Sequence, residues 1–492
     1  MIETKTSLIS MRVLVVDDEL GSATAEGRAI RTLVEDLEKR GVDVVEASSA
    51  EDGRSVATSD SAIHAVLIDW NLGEDDDDHE RARGLIGFLR SRNDKIPIFL
   101  MAERKQGSAV SVEVMEQVDE FVWTLEDTAS FVGGRVVAAI RRYVDVMLPP
   151  MAAAMMKFTR DYEYSWHTPG HQGGIAFLKS PVGRIFYDFF GENMLRSDLS
   201  ISVGSLGSLL DHTGPIGEHE KYAARVFGAH RTYCVTNGTS MSNRVIFMAA
   251  VGRDQVALCD RNCHKSIEHS LVMSGGIPDY LVPLRNRYGI IGPIPPSRLG
   301  KAAIKASIKA NPLVRKGIDT RAVYAVVTNS TYDGLCYNAR RVEELLDPSV
   351  DRIHFDEAWY AYARFNPLYR ERHAMHGDPK DHKGPTTFAT HSTHKLLAAL
   401  SQASFLHIRD GRGAIPHSRF NESFMMQAST SPLYSIIVSN DITAAMMDGP
   451  GARRSRTSRS RKPSPSARPW AACTASSRTS ANGSSEPGTR TA

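Results

Sequence analysis

The stretch Thr390-His391-Ser392-Thr393-His394-Lys395 places a lysine after small hydroxyl residues and histidines. An apolar and small-residue run follows at 396–404, which we expect to be buried. Burial and neighbouring groups depress a lysine pKa far enough to give the neutral amine that attacks a carbonyl. The competing interpretation is a solvated surface charge at the end of a loop. The stretch predicts a Schiff-base lysine if the rest of the chain builds a cofactor site.

Short apolar runs alternate with helical patterns near the amino terminus. The runs cover residues 12–16, 42–46, 65–68 and 96–100. Such alternation predicts a parallel, doubly wound α/β sheet. We therefore expect an α/β domain over residues 1–130.

This first domain resembles the receiver domain of response regulators. Asp17, Asp18 and Asp69 match its acidic cluster, but Met101-Ala102 replaces the receiver hydroxyl residue and Trp123-Thr124 replaces the receiver lysine. Without those two groups we favour a receiver-like (flavodoxin-like) scaffold over a Mg²⁺-binding switch phosphorylated on Asp69. A regulatory or assembly protein built on this domain stays open as an alternative.

Residues 131–182 are expected to form a linker helix and a loop. Helical spacing leads to Pro149-Pro150, and a glycine- and histidine-rich loop follows. His167 and His171 have the i, i+4 spacing of metal ligands. The intervening Pro169-Gly170 breaks the helix that would align them, so we expect no metal there.

A possible anion site follows the strand predicted at 233–236. The turn Gly238-Thr239-Ser240 would lie at the start of a helix predicted over 244–251. Backbone N–H groups and hydroxyls at a helix N-terminus bind anions, although the same residues also make ordinary N-caps. The turn alone leaves both interpretations open.

Two more polar side chains follow predicted strands. His264, after the strand at 256–260, could stack on a ring, transfer protons or cap a helix. Asp356, after the strand at 352–355, needs a partner because an unpaired buried carboxylate is costly. A protonated pyridine nitrogen would supply one. With the anion turn and Lys395, these residues meet the requirements of pyridoxal 5′-phosphate.

Residues 12–450 resemble the bacterial inducible ornithine/lysine/arginine decarboxylases of the aspartate-aminotransferase fold. The resemblance rests on the strings at 166–174, 206–214, 260–266, 285–293, 354–359 and 390–404. It implies a receiver-like wing domain followed by a fold type I, pyridoxal-phosphate-binding large domain over residues 183–450.

The resemblance also implies roles for the site residues. Lys395 would hold the cofactor, Asp356 would pair with the ring nitrogen, and His264 would stack on the ring. The phosphate would be bound by Thr239, Ser240, Ser392 and His394, next to Gly238. The implied reaction is decarboxylation of arginine to agmatine, with lysine or ornithine as alternative substrates and with either Lys395 or His264 as the proton donor. A homo-oligomer and a duty in acid stress are implied in the same way.

The composition is that of an ordinary globular protein, with 42% hydrophobic and 24% charged residues. No run approaches the roughly 18 apolar residues of a membrane span. Five irregularly spaced cysteines fit a reducing cytoplasm. Cys259 and Cys263 precede His264, a spacing that could suggest a metal site. The sequence has no second pair of ligands to complete it, so we expect ordinary thiols there.

The last 42 residues differ from the rest of the chain. They carry nine Lys/Arg and one Glu, a net charge of +8. Because the whole chain has a formal charge of +2, residues 1–450 carry −6. This acidic body argues against nucleic acid as a partner. Residues 451–492 are Arg/Ser/Pro-rich without periodicity, so we expect a disordered tail. We favour a shifted reading frame over a basic tail that binds nucleic acid or membrane. The decarboxylases that the chain resembles continue into a C-terminal domain that helps close the active site. We therefore expect decarboxylation by this chain to be severely impaired.

Overall fold

The computed structural model describes residues 10–73, 79–104, 110–161, 169–199 and 203–448. The chain divides into two compact units, Met1–Pro149 with Arg160–Tyr162 and Pro150–Thr159 with Glu163–Ala492. Two sequence predictions, the absence of a metal site at His167 and His171 and the disordered tail at 451–492, involve positions outside the described residues. Within the described ranges no helix has both the length and the apolar character needed to cross a membrane.

The first unit alternates strands and helices along the chain. In order, the elements are β1 (Met11–Val16), α1 (Ala25–Lys39), β2 (Val42–Ala47), α2 (Ala50–Ser59), β3 (Ala65–Asp69), α3 (Glu80–Arg92), β4 (Ile98–Ala102), α4 (Val112–Met115), β5 (Glu120–Trp123) and α5 (Ala129–Met147).

The strands of this unit form one parallel sheet in the order β2-β1-β3-β4-β5. This is the flavodoxin-like order and confirms the fold class predicted for the unit. Side chains alternate along β1, so Val13 and Val15 belong to the core on one face while Leu14 and Val16 belong to the core on the other. Pro97 has no backbone N–H for the ladder, and β4 begins at Ile98, two residues later than predicted.

Helix α5 belongs to the core of the first unit. Its buried residues Val132, Val136 and Ile140 pack in the same cluster as Val13 and Val15. The unit therefore extends to Pro149. The sequence boundary at residue 130 placed α5 in a linker, because helical spacing alone does not tell which core a helix packs on.

The second unit contains the remaining elements. They are α6 (Pro150–Asp161), α7 (Pro181–Phe190), α8 (Glu192–Arg196), α9 (Gly214–Phe227), β6 (Arg231–Val235), α10 (Gly238–Ala250), β7 (Val256–Asp260), α11 (Lys265–Ser274), β8 (Ile277–Leu281), α12 (Pro296–Leu299), α13 (Lys301–Ala310), β9 (Ala322–Thr328), α14 (Ala339–Leu346), β10 (Arg352–Asp356), β11 (Thr386–His391), α15 (Thr393–Leu396), β12 (Ser404–Arg409), α16 (His417–Met425) and α17 (Tyr434–Asp448).

Its seven-stranded sheet has the order β6-β12-β11-β10-β9-β7-β8, in which β12 is antiparallel to both neighbours and the other pairs are parallel. Apolar clusters cover both faces, one including α10, α16 and α17 and the other α13 and α14. The carboxyl ends of β6, β7, β10 and β11 therefore share one edge, where such sheets place their ligands.

Candidate active site

Lys395 lies in the short helix α15, directly after β11. Its Nζ is 4.3 Å from the centroid of the Trp359 ring, a distance at which a cation is attracted to an aromatic face. Burial lowers the pKa of Lys395, and the Asp356 carboxylate partly opposes that shift. The shift has the direction that a nucleophilic amine requires.

The segment after Lys395 is not buried as the sequence predicted. Leu396 is 39% exposed and Leu400 is 47% exposed, and burial begins only at Ala403 and Ser404. Leu400 lines a cavity of about 310 Å³ on the unit's surface, together with Ala398, Met155, Val438 and Ile442. Ala398 and Leu400 thus face a groove, whereas Leu397 is partly buried against a core cluster.

The predicted anion turn begins α10. The helix starts at Gly238, six residues earlier than the predicted Arg244, so Thr239 and Ser240 lie in its first turn. Gly238 has a φ of +69°, a left-handed conformation that glycine adopts without strain. The side chain of Asn237 does not cap this helix. Its first turn thus has the character of an anion site.

Hydroxyl groups join this turn to the lysine segment. Thr239 Oγ1 forms a short contact with Ser392 Oγ and lies 3.5 Å from Ser404 Oγ. His394 Nδ1 donates to the carbonyl oxygen of Ala403 at 2.7 Å, which fixes its ring. The structure therefore brings Thr239, Ser392 and Lys395 together, and Ser240 lies partly exposed in the same turn.

Asp356 ends β10 and is 4% exposed. Its Oδ2 accepts a hydrogen bond from Asn243 Nδ2 at 2.9 Å. Its Oδ1 lies 3.3 Å from the backbone nitrogen of Ala358 and 3.4 Å from Thr390 Oγ1. The amide and backbone donors are neutral, so the buried carboxylate would be stabilised by a cation facing it.

His264 is the N-cap residue of α11, and its Nδ1 accepts a hydrogen bond from the backbone N–H of Ser266 at 3.2 Å. Burial lowers the pKa of the imidazole, against the opposing effect of Asp356, and Lys395 lowers it further. His264 thus caps a helix, one of the roles that the sequence left open.

Several polar residues at the site had no role in the sequence predictions. Asn243 donates to Asp356, Thr390 Oγ1 donates to Asn243 Oδ1, and Trp359 contacts Lys395. Thr393 Oγ1 donates to Asn440 Oδ1 at 2.5 Å, which ties α15 to α17. Asn243 lies in α10 among Thr239, Ser240, Ser242 and Arg244, so the sequence of this helix did not single it out.

An amine, a buried acid and an uncapped helix N-terminus thus lie at one edge of the sheet. Pyridoxal 5′-phosphate presents an aldehyde, a ring nitrogen and a phosphate, so this set of groups fits it. The fold is that of the fold type I pyridoxal-phosphate enzymes. Residues 149–462 match the family model described as "Orn/Lys/Arg decarboxylase, major domain", and residues 25–143 match the N-terminal domain of the same family. The chain belongs to the Orn/Lys/Arg decarboxylase family, whose members depend on pyridoxal phosphate.

Curated relatives and solved structures agree with this assignment. The chain is 51% identical to the biodegradative arginine decarboxylase of Escherichia coli K12 over 441 residues, covering 89% of the chain and 58% of that protein. It is 47% identical to lysine decarboxylase LdcA of Pseudomonas aeruginosa, covering 90% of the chain and 59% of that protein. The structure of lysine decarboxylase A from Pseudomonas aeruginosa has a TM-score of 0.83 at 46% identity and covers 91% of this chain and 60% of that one.

These matches confirm the family, the fold class and the family's cofactor as predicted from the sequence. The chain spans less than two thirds of the length of these relatives. The family match runs to residue 462, beyond residue 450 where the resemblance was expected to stop.

Proposed function

We propose that this protein decarboxylates a basic amino acid, converting L-arginine to agmatine and CO₂. One observation carries the proposal: Lys395, Asp356 and the first turn of α10 lie at one edge of the sheet in a member of this family. The 51% identity to a biodegradative arginine decarboxylase favours arginine. Lysine is the second candidate, because a lysine decarboxylase is 47% identical.

The site residues would divide the work of holding the cofactor. When bound, pyridoxal phosphate supplies an electron sink for the electrons that departing CO₂ leaves on the α-carbon. Lys395 would bond to its aldehyde carbon and Asp356 would keep its ring nitrogen protonated. His264 would stack on the ring. The first turn of α10 would hold the phosphate through Thr239 and Ser240, with Ser392 and His394 alongside.

The test compares three substrates, and a variant of an exposed lysine residue serves as the control. The purified protein would be supplied with pyridoxal phosphate and equal concentrations of arginine, lysine or ornithine, and CO₂ release measured. We expect arginine to give the highest kcat/KM and Lys395→Ala to abolish the reaction. Lys301→Ala, which changes an exposed lysine on α13, should leave the rate unchanged. CO₂ release by Lys395→Ala at the normal rate would refute the proposal.

We also propose that the protein self-associates, and an exposed apolar surface on and before α7 supports this. Seven large apolar side chains there are 41–81% exposed: Ile175, Leu178, Val182, Ile185, Phe186, Phe189 and Phe190. Contiguous apolar surface of this kind marks interaction sites. In a sedimentation experiment, the double variant Ile185→Asp/Phe189→Asp should form a smaller species than the control variant Leu368→Asp. The control replaces an exposed leucine outside this surface. Equal species would contradict the proposal.

We place this activity in the cytoplasm and in defence against acid. Each decarboxylation consumes one proton, because the departing carboxylate is replaced by C–H. Cells lacking the gene should lose arginine-dependent survival in acid, and regain it with the wild-type gene but not with Lys395→Ala. Equal survival of all strains would contradict this role.

A further inference from the structure

A chain of hydrogen bonds connects the buried acid to the imidazole at the rim of the site. Asn243 Nδ2 donates to Asp356 Oδ2 and to Ser266 Oγ, both at 2.9 Å. A side-chain amide nitrogen has two hydrogens, so these bonds use both. Ser266 Oγ in turn lies 2.9 Å from His264 Nδ1.

The orientation of the Asn243 amide is fixed from its other side. Thr390 Oγ1 donates to Asn243 Oδ1 at 3.0 Å, since an amide oxygen only accepts. Thr390 Oγ1 also lies 3.2 Å from His354 Nε2, and His354 Nδ1 lies 2.5 Å from the Tyr324 hydroxyl. Burial lowers the pKa of His354 to about 3, so this imidazole is neutral. Its Nε2–H donates to Thr390, and its Nδ1 accepts from Tyr324.

These donors and acceptors determine the direction of the bond to His264. Ser266 Oγ accepts from Asn243, so its own hydrogen is free to point at His264 Nδ1. The backbone N–H of Ser266 also points at that nitrogen, at 3.2 Å, and can only donate. A ring nitrogen that accepts hydrogen bonds carries no proton. We infer that Ser266 and Asn243 are positioning residues that hold His264 as a neutral imidazole with its proton on Nε2.

Burial and the charges around His264 do not all act on its protonation in the same direction. Asp356 favours the charged imidazolium, whereas burial, Lys395, Lys265 and His269 oppose it, and the balance lowers the pKa of His264. The electrostatics and the hydrogen-bond geometry therefore favour the same protonation state.

A neutral His264 decides which residue supplies the proton in the reaction, a consequence that rests on the proposed function. An imidazole whose only proton is on Nε2 would have to become an anion to release it, so it is a poor acid. The Lys395 ammonium is the remaining candidate of the two. Its N–H bond breaks, a C–H bond forms with the electron pair left by departing CO₂, and Lys395 becomes a neutral amine.

The protonation state can be read directly in the cofactor-free full chain. Nitrogen-15 NMR of histidine-labelled protein distinguishes imidazolium and the two neutral tautomers, and His264→Gln assigns the signal. We expect the Nε2–H tautomer at neutral pH. An imidazolium, or a neutral ring with its proton on Nδ1, would overturn the inference.

Two variants extend the test. Ser266→Ala should shift the protonation equilibrium of His264 toward imidazolium by about two- to tenfold, the effect of losing one hydrogen bond. Ser270→Ala, which removes a hydroxyl bonded to the Ser266 carbonyl on the same helix, should not shift it. Equal shifts in the two variants would refute the role of Ser266. If Ser266→Ala does not fold, the wild-type spectrum still decides. The spectrum is independent of turnover, so failure of the proposed function would appear separately, as absent CO₂ release.

Discussion

Removing the carboxylate of Asp441 should strongly destabilise the unit that carries the site. Asp441 is fully buried in α17 and accepts a hydrogen bond from His219 Nδ1 at 2.7 Å. It also accepts from the backbone N–H groups of Met151 and Ala152, at 2.7 and 3.0 Å, in the first turn of α6. One side chain therefore ties α6, α9 and α17 together, next to Asn440, which bonds to α15.

Stability is lost because His219 and the backbone N–H groups of Met151 and Ala152 would no longer have the Asp441 carboxylate as their acceptor. Removing one member of a buried charged pair costs about 3–5 kcal/mol of unfolding free energy, so we expect a loss in that range for Asp441→Ala. Burial alone lowers the pKa of His219, but hydrogen bonding and charge interactions with Asp441 and Cys234 together outweigh it and raise the pKa to about 10. The folded state thus binds this proton more tightly than the unfolded chain. The pair stabilises fully below the unfolded pKa of about 6.5, and its contribution is lost as pH rises through the folded value.

The assay is urea unfolding at mildly acidic and at alkaline pH, followed by amide exchange in peptides from α6 and α17. The matched control is Asp448→Ala on the same helix, which breaks an exposed pair with Arg225 and should cost less than about 1 kcal/mol. The difference between wild type and Asp441→Ala should shrink as pH rises. If Asp441→Ala loses no more stability than Asp448→Ala, the reasoning is wrong.

Three further predictions concern other parts of the chain. Burial, then Asp17 and Asp18, raise the pKa of Asp69 from 3.8 to about 8. This group should therefore make the stability of the first unit fall as pH rises between those values, by at most about 1.4 kcal/mol per pH unit. Asp69→Asn should make the fall shallower in urea unfolding, and equal slopes would contradict this. Asn243→Leu deprives Asp356 of its donor and should weaken pyridoxal-phosphate binding in an absorbance titration; unchanged affinity would contradict that role. Asn440→Ala should speed amide exchange in α15, and unchanged exchange would show that its bond to Thr393 does not hold the helix.

Most of the fold was predictable because strand burial is visible in the sequence. The predicted strand at 256–260 coincides with β7, and Asp356 ends β10 as expected. The start of α10 was missed because Gly238-Thr239-Ser240 suits a turn and a first helical turn equally well. The segment after Lys395 was mispredicted because apolar composition does not distinguish a core from a surface groove.

The site was predictable only in part. Residues with distinctive chemistry, such as Lys395 and Asp356, follow strands and so were found at the sheet's edge. Asn243, Ser266 and Thr390 act through hydrogen bonds between elements far apart in sequence. No spacing rule within one element indicates such bonds, so their roles required the three-dimensional arrangement.

The most direct test of the account is to locate the cofactor's bond to the protein. The wild-type chain and Lys395→Ala would each be mixed with pyridoxal phosphate, reduced with borohydride, digested and analysed by peptide mass. We expect a cofactor-sized mass increase on the peptide containing Lys395, and none on the matching peptide of the variant. A modification confined to other lysines, or equal in both proteins, would contradict it.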